Sequence, residues 1–511
     1  MTQSGLMPAK SALLLATLDS PPSPFRDKPS GVAADGRRAG AWFFHRPLRA
    51  AAHSRFSPRL RVSAVSASLT ALLAALLLHG TALPAQTLPP GEPIVVSTEH
   101  PRLFLRPARL RLLRRERERK SVRWQQFAAF ITGQAPMPEP GLAQALYHQV
   151  AGDADAGREA IAYALSPSSD LRQQALVFDW CQDLLSESQQ RDLAARIEKG
   201  IATTASDDRI PAVRSRVLAA VALFDHVPQT PPRELDRVVR AWWDGKLVPA
   251  LNAGREIVPR DDAYALYELL HVMRDNTTLD LRETARTFFK DFPIEHLVSY
   301  YPTPYEAPEN AYYISAMPQT AEPDLDAAAL SRAAELSMVA FDTNAIESQL
   351  LQGWLMHDRF MLRGPFGAPY EFLWANPYQP GLSYYRAPLV WHSPAFGKLF
   401  VRSSWEDSAD WFGYSGGIAQ IFEDGNIATL DASHSREPLL LQTAAICFGH
   451  TARRFRVTVD EGGAVFIVGL EPRHTYQVEV DDEEMFEASS DPGGILELDV
   501  PPGKETGVRI R

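Results

Sequence analysis

From Pro107 to about His357 the chain is patterned almost wholly for helices, and no other feature limits its fold so strongly. Pro107 suits a first helical position, and Leu110, Leu113, Trp124, Phe127 and Ile131 recur at helical spacing. Residues 171–200 read as a hairpin in which Leu171, Ala175, Phe178 and Leu185 lead into Ser186-Glu187-Ser188-Gln189. There Ser186 caps the next helix and Gln189 reaches back to it. Leu193 and Ile197 mark the buried side of that helix, and Gly200 is a stop signal. Further helices are predicted near 212–225, 233–244, 262–274, 278–290, 325–341 and 344–356, parted by short breaks containing Pro or Asp. Antiparallel helices in such succession predict an α-solenoid or an α/α toroid. The want of a fixed repeat period lowers the solenoid option.

The pattern changes after about Leu362. Pro365, Pro369, Pro377, Pro380 and Pro388 crowd a stretch rich in aromatics, and this reads as loops. Strand-like segments follow at Lys398–Arg402, 411–414 and 418–422, then at 455–459, 464–468, 476–480, 495–498 and 508–510. Gly-rich turns separate the later ones, which predicts a β-sandwich. The expected divisions are a helical domain over 98–362, a loop-rich antiparallel β domain over 363–452 and a small β tail over 453–511.

Charge divides the chain differently. The whole carries a net -10, yet residues 1–85 hold ten basic and three acidic groups, a net of +7, which leaves -17 for the rest. Within that basic leader lies the apolar run 64–78, preceded by Arg59 and Arg61 and followed by Leu83-Pro84-Ala85. A charged flank, a short apolar stretch and a small-residue exit are the pattern of an export signal, here residues 62–85. About 15 residues is short for a membrane span, which needs roughly 20. Residues 1–61 are expected to be a disordered arm or to precede the true start of translation. An exported chain is expected in the periplasm or outside the cell, with no stable membrane span after the signal is removed. Cys181 and Cys447 are expected as two buried free thiols. The acidic balance argues against a nucleic-acid partner, and from Asp460 onward 13 acidic and four basic groups should repel polyanions.

Three stretches resemble the bacterial heparinase II/III-like group of polysaccharide lyases. They are His100-Pro101-Arg102-Leu103 at the entry to the first helix, the helical block around Leu176–Leu185, and Arg402-Ser403-Ser404-Trp405 at the opening of the β region. The resemblance implies an incomplete α/α toroid followed by antiparallel sheets. It also implies β-elimination on uronic-acid polysaccharides: a Tyr or His base, a group that neutralises the uronate carboxyl, and a Tyr that protonates the leaving oxygen. Where such lyases present a histidine-bearing strand after the Trp, this chain reads Gly416 to Gly425 without histidine, and His434 is a displaced substitute. In the tail, the approach to Tyr476 is similar to fibronectin type III-like modules, whose corner tyrosine bonds back to the main chain.

Two clusters supply candidate chemistry. Tyr264, Tyr267, His271 and Arg274 are spaced by three, four and three, so they share one helix face. Residues 300–313 form a Pro- and Tyr-rich loop containing Tyr305, Asn310 and Tyr312. The expected roles are Tyr267 or Tyr312 as acid/base, His271 as second proton-transfer group, and Asn310 or Arg274 as carboxylate neutraliser. Arg260, Arg274, Tyr305, Trp374 and Tyr378 are expected to bind substrate, with Tyr384 and Tyr385 on another wall of the cleft. The partner is an acidic or other extracellular polysaccharide. The competing readings are an inactive polysaccharide-binding or cell-surface scaffold and a glycoside hydrolase using Asp261, Asp262 or Glu306. Histidine and cysteine spacing gives no metal signature and no phosphate-binding glycine loop occurs, so no cofactor is expected.

Overall fold

The computed structural model describes residues 91–277, 279–308, 311–317, 323–357, 361–432, 437–450, 453–459, 463–482 and 484–511. The N-terminal arm over 1–61, the signal over 62–85, Asn310 and His434 lie outside the described residues.

The helices are α1 (Pro107–Glu118), α2 (Val122–Thr132), α3 (Pro140–Ala151), α4 (Ala154–Ala164), α5 (Leu171–Trp180), α6 (Glu187–Thr203) and α7 (Ile210–Leu223). They continue as α8 (Thr230–Asp236), a π-helix (Arg237–Leu247), α9 (Val248–Asn252), α10 (Ala263–Thr277), α11 (Arg286–Val298), α12 (Leu325–Phe341), α13 (Ile346–His357) and α14 (Gly364–Trp374). Six of them, α3, α5, α7, α10, α12 and α14, pack one on the next, and α14 returns against α3 and α2. The result is an α/α toroid whose inner helices are buried almost all round, as at Val217–Leu223 of α7 and Ala263–Met273 of α10. The outer helix α6 buries only the stripe Leu193, Ile197 and Ile201. That contrast is the expected mark of inner and outer positions. The Ser186–Gln189 capping box forms as its sequence predicts.

Residues 364–374, read as loop, are instead the last inner helix. Pro365 sits in its first turn, where the missing N–H costs nothing. Burial of Tyr370, Phe372, Leu373 and Trp374 outweighs the helix-breaking Pro369.

The β strands are β1 (Tyr305–Glu306), β2 (Ala311–Tyr312), β3 (Val390–Ser393), β4 (Lys398–Arg402), β5 (Trp411–Ser415), β6 (Ile418–Glu423), β7 (Asn426–Asp431) and β8 (Leu439–Leu441). After them come β9 (Ala444–Phe448), β10 (Arg454–Val457), β11 (Ala464–Val468), β12 (Thr475–Val480), β13 (Glu484–Ser489), β14 (Leu496–Asp499) and β15 (Thr506–Ile510). Apart from the β1–β2 hairpin they form three stacked sheets: β3-β4-β5-β6-β7, then β14-β11-β9-β8, then β10-β15-β12-β13. Phe400, Trp411 and Phe422 of the first sheet belong to the helical core. Its other side, with Leu399, Val401 and Phe412, packs on Ile446, Phe448, Phe466 and Val468 of the middle sheet. Alternate residues of the same middle strands, Ala445, Cys447, Val465 and Ile467, face the third sheet. Both faces of the central strands β9 and β11 are therefore buried, so these two read as unbroken apolar runs, while the edge strand β14 alternates. β9 pairs in parallel with β11, so strands on either side of residue 452 share the middle sheet.

Cys181 and Cys447 are free, buried, and in different cores. Burial pushes both thiols up, Cys447 to about 12. The Tyr476 hydroxyl accepts a 3.1 Å hydrogen bond from the Glu471 N–H, closing the predicted corner.

His392 on β3 ties the first sheet to the second. Its Nδ1 lies 2.7 Å from Glu497 on β14 and its Nε2 3.0 Å from Asp491. Burial opposes its charge, but the hydrogen bonds to Asp491 and Glu497 prevail and raise its pKa. A raised value means a stabilisation complete below about pH 6.5 and lost as pH climbs through the folded-state pKa. Substituting His392→Gln should cost about 1.5–3 kcal/mol in mildly acid buffer. The gap between wild-type and variant denaturation midpoints should close as pH rises, and a pH-independent gap would refute the ionic staple.

Candidate functional site

One open groove of about 630 Å³ gathers more of the expected site residues than any other described cavity. The first turns of α1 supply Arg106, Arg109 and Arg111, the last turns of α10 supply His271, Arg274 and Asp275, and Trp374 ends α14. Helices that run antiparallel bring these termini to one rim of the ring. Arg109 lies over the Trp374 ring at 5.6 Å. Burial, with Arg274 nearby, lowers its pKa to about 10 against the pull of Asp275. At that value it is still a cation near neutrality. Arg274 holds Asp275 through Nε and Nη2 at 2.9 and 2.8 Å and lies over Phe341.

His271 sits at the back of the groove, 3% exposed, with its ring 4.5 Å from that of Trp374. Its Nε2 is 2.9 Å from the Ser337 carbonyl. A carbonyl only accepts, so Nε2 carries the proton and Nδ1 keeps its lone pair, on the side where Asp275 approaches to 4.0 Å. Burial first, then Arg274, Arg109 and Arg282, hold its pKa well below the usual histidine value. The ring is a neutral base at physiological pH.

The other expected residues part company on this geometry. Tyr267 shares the helix face but not the groove: Phe341 contacts both rings, at 6.1 Å from Tyr267 and 4.9 Å from His271. Tyr267 is 2% exposed, stacks on Phe292 and borders a separate cavity of about 540 Å³ with Arg282 and Lys290. Arg260 is committed to the interior, bonded to Ser331, Ser299, the His296 carbonyl and Glu335, and lying over Tyr300. Trp374 is buried with Phe104, His271 and Arg109 against it, so it orients groove residues and offers no face to a sugar. Tyr378 is exposed but outside the groove; its hydroxyl is held by Glu116 at 2.5 Å and Arg119 lies over its ring. The loop over 300–313 forms the hairpin β1–β2, which sets Tyr305 opposite Tyr312. Neither tyrosine lines the groove. Tyr384 and Tyr385 stack 4.5 Å apart beside His357, where helices meet the first sheet.

Sequence reasoning did not find the support beneath the groove. The Trp374 indole donates to the Tyr264 hydroxyl, which donates to Glu268, each at 2.9 Å. Glu268 is wholly buried between Arg172, at 2.6 and 2.9 Å, and Arg214. Arg172 also reaches Glu139 at 2.7 Å, and Tyr370 bonds the same carboxyl. Burial works against the Glu268 charge, yet the two guanidiniums keep its pKa lowered. Tyr264 and Glu268 are one turn apart on α10, but their other partners come from separate elements, so local spacing does not reveal the network.

The His-Pro-Arg motif is structural. Asp179 takes the His100 Nδ1–H at 2.5 Å and the Arg102 and Leu103 N–H groups at 2.9 and 2.8 Å. His100, Asp225 and His226 converge closely enough to suggest a cation site. However, the buried Arg102 guanidinium bonds Asp225 and lies 2.8 Å from His100 Nε2, and so fills the place a metal ion would need.

No protein-family model matches the chain, and no curated protein does. Among solved structures a glycoside hydrolase aligns at a TM-score of 0.28 and 10% identity, over 73% of this chain and 71% of its own.

Proposed function

We propose that the protein is an exported carbohydrate-active protein that holds an acidic polysaccharide along the arginine groove and cleaves it by β-elimination. The observation that carries this reading is a neutral histidine set among cations. Arg106, Arg109, Arg111 and Arg274 supply positive charge where a uronate carboxylate would lie. They would also stabilise the negative charge that builds on that carboxylate as the neighbouring proton leaves. His271 Nδ1 takes that proton. The bond to the departing oxygen then breaks as the ring double bond forms, and the imidazolium returns the proton to the oxygen. No described tyrosine lines the groove for that last step. Binding without cleavage is the second reading, favoured by the slight exposure of His271.

Polygalacturonate, alginate and heparin incubated with the purified chain separate the readings. Products with the ultraviolet absorbance of unsaturated uronates support the lyase. New reducing ends without that absorbance would instead mean hydrolysis, and retention on the polymer without products would mean a binding protein. Export is checked separately by sequencing the N-terminus of the protein recovered outside the cytoplasm, which should begin near Gln86.

A further inference from the structure

The outermost sheet carries a cost that its fold does not require. Arg454 on edge strand β10 stands directly opposite Arg509 on β15, and like charges in that register repel. Arg509 and Arg511 share one carboxylate, Glu479, at 3.5 and 2.8 Å. Arg454 and Arg456 make no ion pair with any described residue. Gly507, opposite Arg456, leaves the space above the sheet open, since a Cβ there would meet only Asp481 at 3.7 Å. Arg454 and Arg509 border two open hollows, of about 680 and 740 Å³. The first is ringed by Arg453, Arg454, Arg509, Arg511 and His474, with Glu471 its one acidic group. Arg453 is braced over the Tyr476 ring.

We propose that this arginine edge is a second binding site for an anionic polysaccharide, one that anchors the chain to the polymer away from the groove. The proposal rests on the acidic-glycan reading of the groove. A repulsive pair is removed when carboxylate or sulfate groups of a ligand come between the guanidiniums, so the cost on the free protein becomes affinity in the complex. The smaller hollow suits a single saccharide unit bearing one or two anions, whereas in the larger one Glu479, Asp481, Asp482 and Glu505 offset Arg454, Arg456, Arg509 and Lys504.

The experiment is calorimetric titration of the full chain with a short polygalacturonate oligosaccharide at several salt concentrations. Wild type should bind two oligosaccharides, and the Arg454→Glu and Arg109→Ser variants one each. Loss of the edge site should also lower the salt dependence of binding to a long polymer, by about one released counterion for each cation removed. Arg454→Glu should melt no lower than wild type, because it replaces a repulsive pair with an attractive one. If it melts lower, Arg453→Ser takes its place, and unchanged stoichiometry and affinity in that variant would overturn the site. Two oligosaccharides bound by Arg454→Glu at wild-type affinity would overturn it directly. Failure of Arg109→Ser alone to lose a site would instead count against the groove. Tighter binding of a DNA oligonucleotide than of the oligosaccharide, abolished by Arg454→Glu, would overturn the polysaccharide assignment.

Discussion

Glu268→Ala should destabilise the protein by about 3–5 kcal/mol, because it takes the shared counter-charge from the buried Arg172 and the partly buried Arg214. Glu268 has no exposed surface, and Arg172 is only 4% exposed. Arg172 would keep only the partly exposed Glu139, and Arg214 has no other ion pair among the described residues. By contrast, Arg158→Ala removes a partner from an exposed pair with Asp155 and should leave the denaturation midpoint unchanged within error. The pH dependence has a definite sign. The Glu268 pKa is lowered in the folded state, so its contribution is whole above the ordinary carboxylate pKa of about 4.3. It is lost as pH falls through the native value. Denaturant titrations at neutral and acid pH should therefore show the two proteins converging on acidification. The loss should reach the groove as well, since Glu268 fixes Tyr264 and Tyr264 fixes Trp374.

His271→Gln should lower turnover by about 10²–10⁴-fold, the usual worth of a positioned proton-transfer group, with little change in KM. The glutamine amide can still donate to the Ser337 carbonyl, so the groove keeps its shape while losing its base. The native histidine has a strongly lowered pKa. The acid limb of the wild-type rate profile should consequently fall below the ordinary histidine value of about 6.5. A variant with full turnover, or an acid limb above that value, would remove His271 from the chemistry and leave binding as the function.

The outer helices and most strands are evident in the sequence because one side of each meets water. Leu193, Ile197 and the Ser186 cap are visible for that reason, and so are the glycine turns of the tail. Where burial is complete the local code weakens. Residues 364–374 look like a proline-rich loop until one sees that α14 closes the ring. The spacing of Tyr267, His271 and Arg274 is correct, yet spacing cannot show that Phe341 from another helix separates the first of them from the rest. Arg106, Arg109 and Arg111 carry no site signature in their own spacing, and it is the docking of Trp374 beside them that makes them a groove wall. The charge of the tail is not uniform either. Its acidic count begins at Asp460, just after Arg453, Arg454 and Arg456, which pairing places beside the C-terminal arginines.

The parallel pairing of β9 with β11 also bears on how the chain is made. The middle sheet needs β11 and β14, which lie in the last 50 residues, before either of its faces is filled. During synthesis the helical ring and the first sheet are complete while Leu399, Val401 and Phe412 still face water. Such an uncovered apolar face on a nascent chain invites association with other chains. A chain truncated before β11 should therefore leave that face bare and aggregate.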